Sequence, residues 1–202
     1  MGPVPGIDVV ADAGAGRRLI LVGGGARSGK SRFALERARA LGQRRVFIAT
    51  AERSDDEMAV RIQHHRVERG SGFRTIEEPV ALPEAMEEAG LTADAIVVDC
   101  LTLWVSNLLI KGVGPSELVA RFQRLEAAVL AARPHVVLVT NEVGMGLVPD
   151  TPLGRQFRDA IGNLHQRLAA RMDELYLAAM GVLLRLRPAP VELVPLTRET
   201  RA

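Results

Sequence analysis

The sequence predicts an α/β fold, a mostly parallel central sheet flanked by helices, and three observations predict it. Short runs of Val, Ile and Leu recur at 18–22, 45–50, 95–99 and 135–140, of strand length and without polar alternation. Longer segments with apolar residues at helical spacing separate them, and strands apolar on both faces require helices on both faces. The first run leads into Gly24-Gly25-Ala26-Arg27-Ser28-Gly29-Lys30-Ser31, which fits the Walker A pattern G-x-x-x-x-G-K-[ST] at every fixed position. Together these narrow the class to a P-loop NTPase-like three-layer fold.

The Walker A stretch is a phosphate cradle. Its glycines let the backbone curl until N–H groups point inward at phosphate oxygens, Lys30 supplies a cation, and the Ser31 hydroxyl is placed to ligate Mg²⁺. The chain has only two lysines, Lys30 and Lys111, among many arginines. A lysine retained here points to a need for a compact point charge.

The elements follow in order. Residues 1–17 are rich in Gly, Pro and Ala and lack the basic start and long apolar core of a signal peptide, so they are expected to form a flexible tail. A helix over 31–40 ends at Gly42, and 45–50 forms the second strand. Ser54-Asp55-Asp56-Glu57 is a capping box with acidic residues where the helix dipole favours them, opening a helix that runs to Arg69 and ends at Gly70-Ser71-Gly72. A short extended segment is expected over 73–76 and a short helix over 82–89, starting near Pro83. The strand 95–99 ends in a carboxylate, Asp99. A helical stretch over 101–110 breaks at Gly112-Val113-Gly114-Pro115, and Leu118, Phe122, Leu125 and Val129 mark a helix closed by Pro134. After the strand 135–140 comes the loop Asn141-Glu142-Val143-Gly144-Met145-Gly146. Thr151-Pro152 then caps a helix with the stripe Phe157, Ile161, Leu164 and Leu168. Two last strands, 175–178 and 182–186, flank Gly181. The catalytic domain is expected over 18–187, with 188–202 a C-terminal tail.

Composition excludes several classes. A formal charge of +2 with scattered arginines argues against nucleic acid, and 3% aromatics cannot build a base-stacking surface. A single cysteine, Cys100, excludes an internal disulfide and fits a cytoplasmic location. The longest apolar stretches fall far short of a membrane span.

In such a sheet ligands bind beyond the carboxyl ends of the strands, so the loops after Gly23, Ala51, Asp99 and Asn141 should share one crevice. Asp99 stands where a Walker B carboxylate holds Mg²⁺. Glu142 is a second carboxylate, for magnesium, for substrate, or simply solvated. On the 54–69 helix, His65 lines up with Arg61 and Arg69, four residues to either side. Arginines there would hold phosphate oxyanions and keep the imidazole neutral, as nucleophilic attack on phosphorus requires. His64 faces another direction, and adjacent helical residues do not chelate a metal together.

Several blocks now combine. The Walker A stretch, Ile48-Ala49-Thr50-Ala51, Asp55-Asp56-Glu57-Met58, Arg61-Ile62-Gln63-His64-His65-Arg66 and Thr140-Asn141-Glu142-Val143-Gly144-Met145-Gly146 together resemble the bifunctional adenosylcobinamide kinase/adenosylcobinamide-phosphate guanylyltransferase family of cobalamin synthesis, from about Leu19 to Leu186. The resemblance implies phosphorylation of adenosylcobinamide by ATP or GTP. It then implies GMP transfer from GTP, through a guanylylated His65, onto adenosylcobinamide-phosphate. It implies nucleotide contacts at Gly24, Gly25, Ala26, Arg27, Ser28, Gly29, Lys30 and Ser31, at Ala49, Thr50 and Ala51, at Arg66, Val67, Glu68 and Arg69, and at Glu77 and Asp99. A homotrimer is implied as well. Two other readings stand beside it: a simple P-loop small-molecule kinase, which leaves His65 idle, and a P-loop GTPase or ATPase assembly factor. Against a GTPase switch, the chain shows no Asn-Lys-x-Asp motif, since Asn141 is followed by Glu142 and Val143.

Overall fold

A computed structural model describes residues 16–52 and 70–195. The chain forms β1 (Leu19–Gly24), α1 (Lys30–Leu41), β2 (Arg45–Ala49), a 3-10 turn (Gly70–Gly72), β3 (Arg74–Glu77), α2 (Leu82–Gly90), β4 (Ala95–Asp99), α3 (Leu101–Ile110), α4 (Pro115–Ala131), β5 (His135–Val139), α5 (Pro152–Ala169), β6 (Glu174–Ala179), β7 (Val182–Arg187) and β8 (Glu192–Pro195). The capping box and the histidine pair fall at 53–69, outside the described residues.

The sheet order is β3-β2-β4-β5-β1-β6-β7-β8. The strands from β3 to β6 are parallel, and β7 and β8 return antiparallel. β1 is therefore an inner strand, with β5 on one side and β6 on the other. Its side chains alternate between two cores, as a strand buried on both faces must. Leu19 and Leu21 join Ile48, Ile96 and Leu138 beneath α2, α3, α4 and α5. Ile20 and Val22 join Phe47, Val97 and Val139 beneath α1, which contributes Phe33, Ala34, Leu35 and Ala38. Trp104 of α3 is wholly buried and still satisfies its indole, which donates to Val80 O at 2.8 Å.

The amino ends of the strands are tied by ion pairs. Asp94 accepts from Arg44 Nη2 at 2.6 Å and Nε at 3.0 Å, and from Arg44 N at 2.8 Å. Those bonds hold its carboxyl at about 2, well below the usual carboxylate range. Deeper in, Arg37 Nη2 donates to Glu174 Oε1 at 2.6 Å and Tyr176 OH donates to Glu174 Oε2 at 2.7 Å, locking α1 to β6. His135 Nδ1 accepts from Arg18 N at 3.0 Å, and burial lowers its pKa, with Arg37 and Arg18 adding to the effect.

Residues 1–15 and 196–202 of the two expected tails lie outside the described residues, and the described residues next to them belong to the fold. Arg17, assigned to the N-terminal tail, donates to Leu130 O at 2.8 Å and to Ala132 O at 2.5 Å, so the fold takes hold of the chain at its first described residues. The stretch 188–202 contains β8, paired with β7 from Val182↔Pro195 to Arg185↔Glu192. Pro188 and Pro190 lie in the connection that brings a short Leu-Val run back as an edge strand, where proline is tolerated.

Candidate nucleotide site

β1 ends at Gly24 and α1 begins at Lys30, so the chain must reverse over 25–29. Gly24, Arg27 and Gly29 take positive φ angles of 150°, 55° and 91° to do so. Gly24 answers a second demand, because a Cβ there would lie 2.3 Å from Ala178 O on β6. The turn brings Lys30 back under the loop, where it is buried and Nζ donates to Gly25 O at 2.9 Å. Burial lowers the ammonium's pKa, with Cys100 and Asp99 opposing. Burial also pushes the Cys100 thiol up and so favours its neutral form, which leaves Asp99 as the negative charge set against Lys30. Ser28 is buried as well, and its Oγ has no hydrogen-bond partner among the described residues. An unpartnered hydroxyl beside a buried cation suits an anion.

Strand register puts Asp99 on the face of the sheet that carries Lys30. Ala49 pairs with both Glu77 and Asp99, Asp99 pairs with Val139, and Val139 pairs with Val22. Registered residues of parallel strands share a face, and Val22 and Val139 belong to the core under α1. Glu77, Ala49 and Asp99 thus lie in one row at the carboxyl edge, on the face that carries the cradle. The Asp99–Cys100 peptide is cis.

Behind this row is a buried polar layer. Thr50 Oγ1 donates to Cys100 O and accepts from Cys100 N, both at 2.8 Å, fastening the ends of β2 and β4 together. Asn107 Nδ2 donates to Thr50 O at 2.8 Å and to Pro79 O at 3.1 Å. Asn141 Nδ2 donates to Thr102 Oγ1 at 3.0 Å, and that hydroxyl meets Cys100 Sγ at 2.6 Å. The third wall is the loop after β5, where Glu142 N donates to Gly24 O at 3.0 Å and joins that loop to the cradle.

The structure thus brings together Gly24 to Ser31, Ala49 to Ala51, Glu77 and Asp99. His65, Arg66, Val67, Glu68 and Arg69, with Arg61 and His64, lie outside the described residues. Sequence reasoning missed Cys100, Thr102, Asn107 and His165. A signal existed for His165: it follows Leu164 and stands four residues after Ile161, so it borders the buried stripe of its helix. The residues fit magnesium. Ser31 and Asp99 offer hard oxygen donors, and among the described residues no group of three or more His, Cys, Asp or Glu forms a protein-only cage. Mg²⁺ is ordinarily held by one or two such donors together with substrate phosphates.

A Walker A cradle at the carboxyl end of an inner strand of a mostly parallel sheet defines a P-loop NTPase-like protein. The crystal structure of the RadB recombinase shares this fold, with a TM-score of 0.53 at 17% identity, over 89% of this chain and 87% of that one. The family described as CobU, cobinamide kinase/cobinamide phosphate guanyltransferase, matches residues 20–186, and the chain belongs to that enzyme family. The bifunctional adenosylcobalamin biosynthesis protein CobU of Escherichia coli K12 is 42% identical over 81% of this chain and 97% of its own length. The corresponding protein CobP of Pseudomonas aeruginosa is 39% identical over 87% of this chain and 99% of its own length.

Proposed function

We propose that the chain performs both reactions of its family, phosphorylating adenosylcobinamide with ATP or GTP and then joining GMP to the product to give adenosylcobinamide-GDP. The observation that supports this reading is the cradle: Lys30 is buried with Asp99 as an opposing charge, and Ser28 Oγ has no hydrogen-bond partner among the described residues. One cradle serves both steps because Lys30 neutralises the β- and γ-phosphates whichever phosphorus is attacked. Magnesium, held by Ser31 and Asp99, supplies Lewis-acid charge neutralisation when bound. Glu77 is in register with Ala49, and in this reading its carboxylate accepts from the guanine N1–H and amino group.

In the transfer step a His65 ring nitrogen attacks the α-phosphorus of GTP. The bond to the β-phosphate oxygen breaks and pyrophosphate leaves. The phosphate oxygen of adenosylcobinamide-phosphate then attacks the same phosphorus, breaks the P–N bond and frees the histidine. Arg61 and Arg69 steady the triphosphate and the leaving group. The working unit is a cytoplasmic homotrimer.

The test is α-labelled GTP with wild type, His65→Ala and His64→Ala, quenched in alkali and followed by mapping of the modified peptide. Label is expected in wild type and in His64→Ala, and none in His65→Ala, which keeps its kinase activity. Label that persists in His65→Ala and vanishes from His64→Ala reverses the assignment. No label in any of them leaves a simple kinase.

A further inference from the structure

Phosphoryl transfer to an alcohol needs a group that orients the hydroxyl and accepts its proton, and neither Lys30 nor Asp99 is free to do so. Lys30 is the cation of the cradle and Asp99 is the charge set against it. Register places the end of β5 between the two, because Val139 pairs with Val22 on the Walker A strand and with Asp99 on β4. The next residues are therefore at the middle of the crevice. Thr140 is buried, and the Asn141 amide is committed to Thr102. Glu142 comes next, strapped to Gly24 through its own backbone N–H.

Its carboxylate is partly exposed, with one oxygen held by a hydrogen bond and the other faced by an imidazole. Oε1 accepts from Gly144 N at 2.6 Å, and Oε2 lies 3.7 Å from His165 Nδ1. His165 is fixed in turn, with Nε2 2.8 Å from Thr140 Oγ1. Burial lowers its pKa, so it faces the carboxylate as a neutral ring. Beside Glu142, Gly144 also borders an open cavity of about 400 Å³ whose other walls include Arg158, Gly162 and Asn163 of α5. Glu142 thus links the cradle, through its backbone bond to Gly24, to Gly144 at the edge of that cavity, through its carboxylate.

We propose that Glu142 is the general base of the kinase step and that His165 is its positioning residue. The hydroxyl oxygen attacks the γ-phosphorus, the bond from phosphorus to the β–γ bridging oxygen breaks, and the electron pair leaves with the nucleoside diphosphate. The hydroxyl proton passes to Glu142 Oε2 and then to water. This rests on the reading of the chain as an alcohol kinase.

The experiment uses the full chain with adenosylcobinamide, ATP and magnesium. E142Q should lower kcat by about 10²- to 10⁴-fold, the range for a positioned base, with nucleotide affinity and half-saturating magnesium unchanged. An unchanged kcat overturns the proposal, and so does a raised magnesium requirement, which would make Glu142 a metal ligand. Should E142Q not fold, E142D takes its place, with a lower kcat expected at unchanged nucleotide affinity and an unchanged kcat again overturning. His165→Leu should lower kcat by about ten- to a hundredfold, as loss of an outer-shell partner does, with little change in the KM for the corrinoid. His165→Asn, whose amide nitrogen falls near the Nδ1 position, should restore most of that loss. Equal impairment in both would reduce His165 to packing. If wild type itself does not phosphorylate adenosylcobinamide, the kinase reading fails first.

Discussion

The two ends of the sheet treat polar groups in opposite ways. At the amino end Asp94 is saturated by Arg44, and Glu174 is closed between Arg37 and Tyr176. At the carboxyl end Lys30 rests on a carbonyl of its own loop and Ser28 Oγ has no partner among the described residues. Charges at one end complete the fold, whereas those at the other leave bonding capacity for a ligand. The difference teaches where to expect each kind of failure: stability at the amino end, chemistry at the carboxyl end.

Lys30→Ala should break the comparison most visibly. Loss of both activities by about a hundredfold or more is expected, the cost of one transition-state charge contact, while the melting temperature holds or rises because a desolvated ammonium has been removed. Steady-state rates and thermal unfolding on the same sample decide it, and a folded Lys30→Ala with normal turnover would dissolve the cradle assignment. Asp99→Asn comes next: the amide keeps the shape and loses the charge, so magnesium-dependent turnover should fall far more than stability. An unchanged magnesium requirement would remove Asp99 from the site.

Arg37→Met probes the opposite end. Removing one partner of a buried pair costs about 3 kcal/mol, so a clear loss in denaturant midpoint is expected at unchanged kcat; a kinetic defect without a stability defect would contradict the division. The smallest effect is the pH dependence of Asp94. Its folded pKa of about 2 lies below the ordinary 3.8, so its contribution is complete above about pH 4 and lost as pH falls through about 2. The difference in melting temperature between wild type and Asp94→Asn should narrow across that window, and a constant difference would show that the pair adds nothing.

Much of this was legible in the residues. The strands over 95–99 and 135–139, and the helices at Leu82 and Thr151, follow from local pattern, and the Thr151 cap is present, with Oγ1 accepting from Gly154 N at 3.1 Å. The cradle residues were legible because phosphate binding imposes fixed spacing on one short stretch. Cys100, Thr102 and Asn107 were not, because their pairing joins residues 28 to 57 positions apart through strand order, which no local pattern encodes. β8 was hidden because its four residues, Glu192–Pro195, carry too short an apolar run to mark a strand.

The hydrogen bond from Lys30 to Gly25 has a calorimetric consequence. An arriving triphosphate draws the ammonium away from a carbonyl that already satisfies it, so this contact adds only the difference between two bonds to the heat of binding. What the site gains is readiness: the side chain is ordered before the nucleotide arrives, and its rotamer entropy is not charged to association. Nucleotide binding here should release less heat than its list of contacts suggests, and its affinity should change less when the lysine's surroundings are stiffened further.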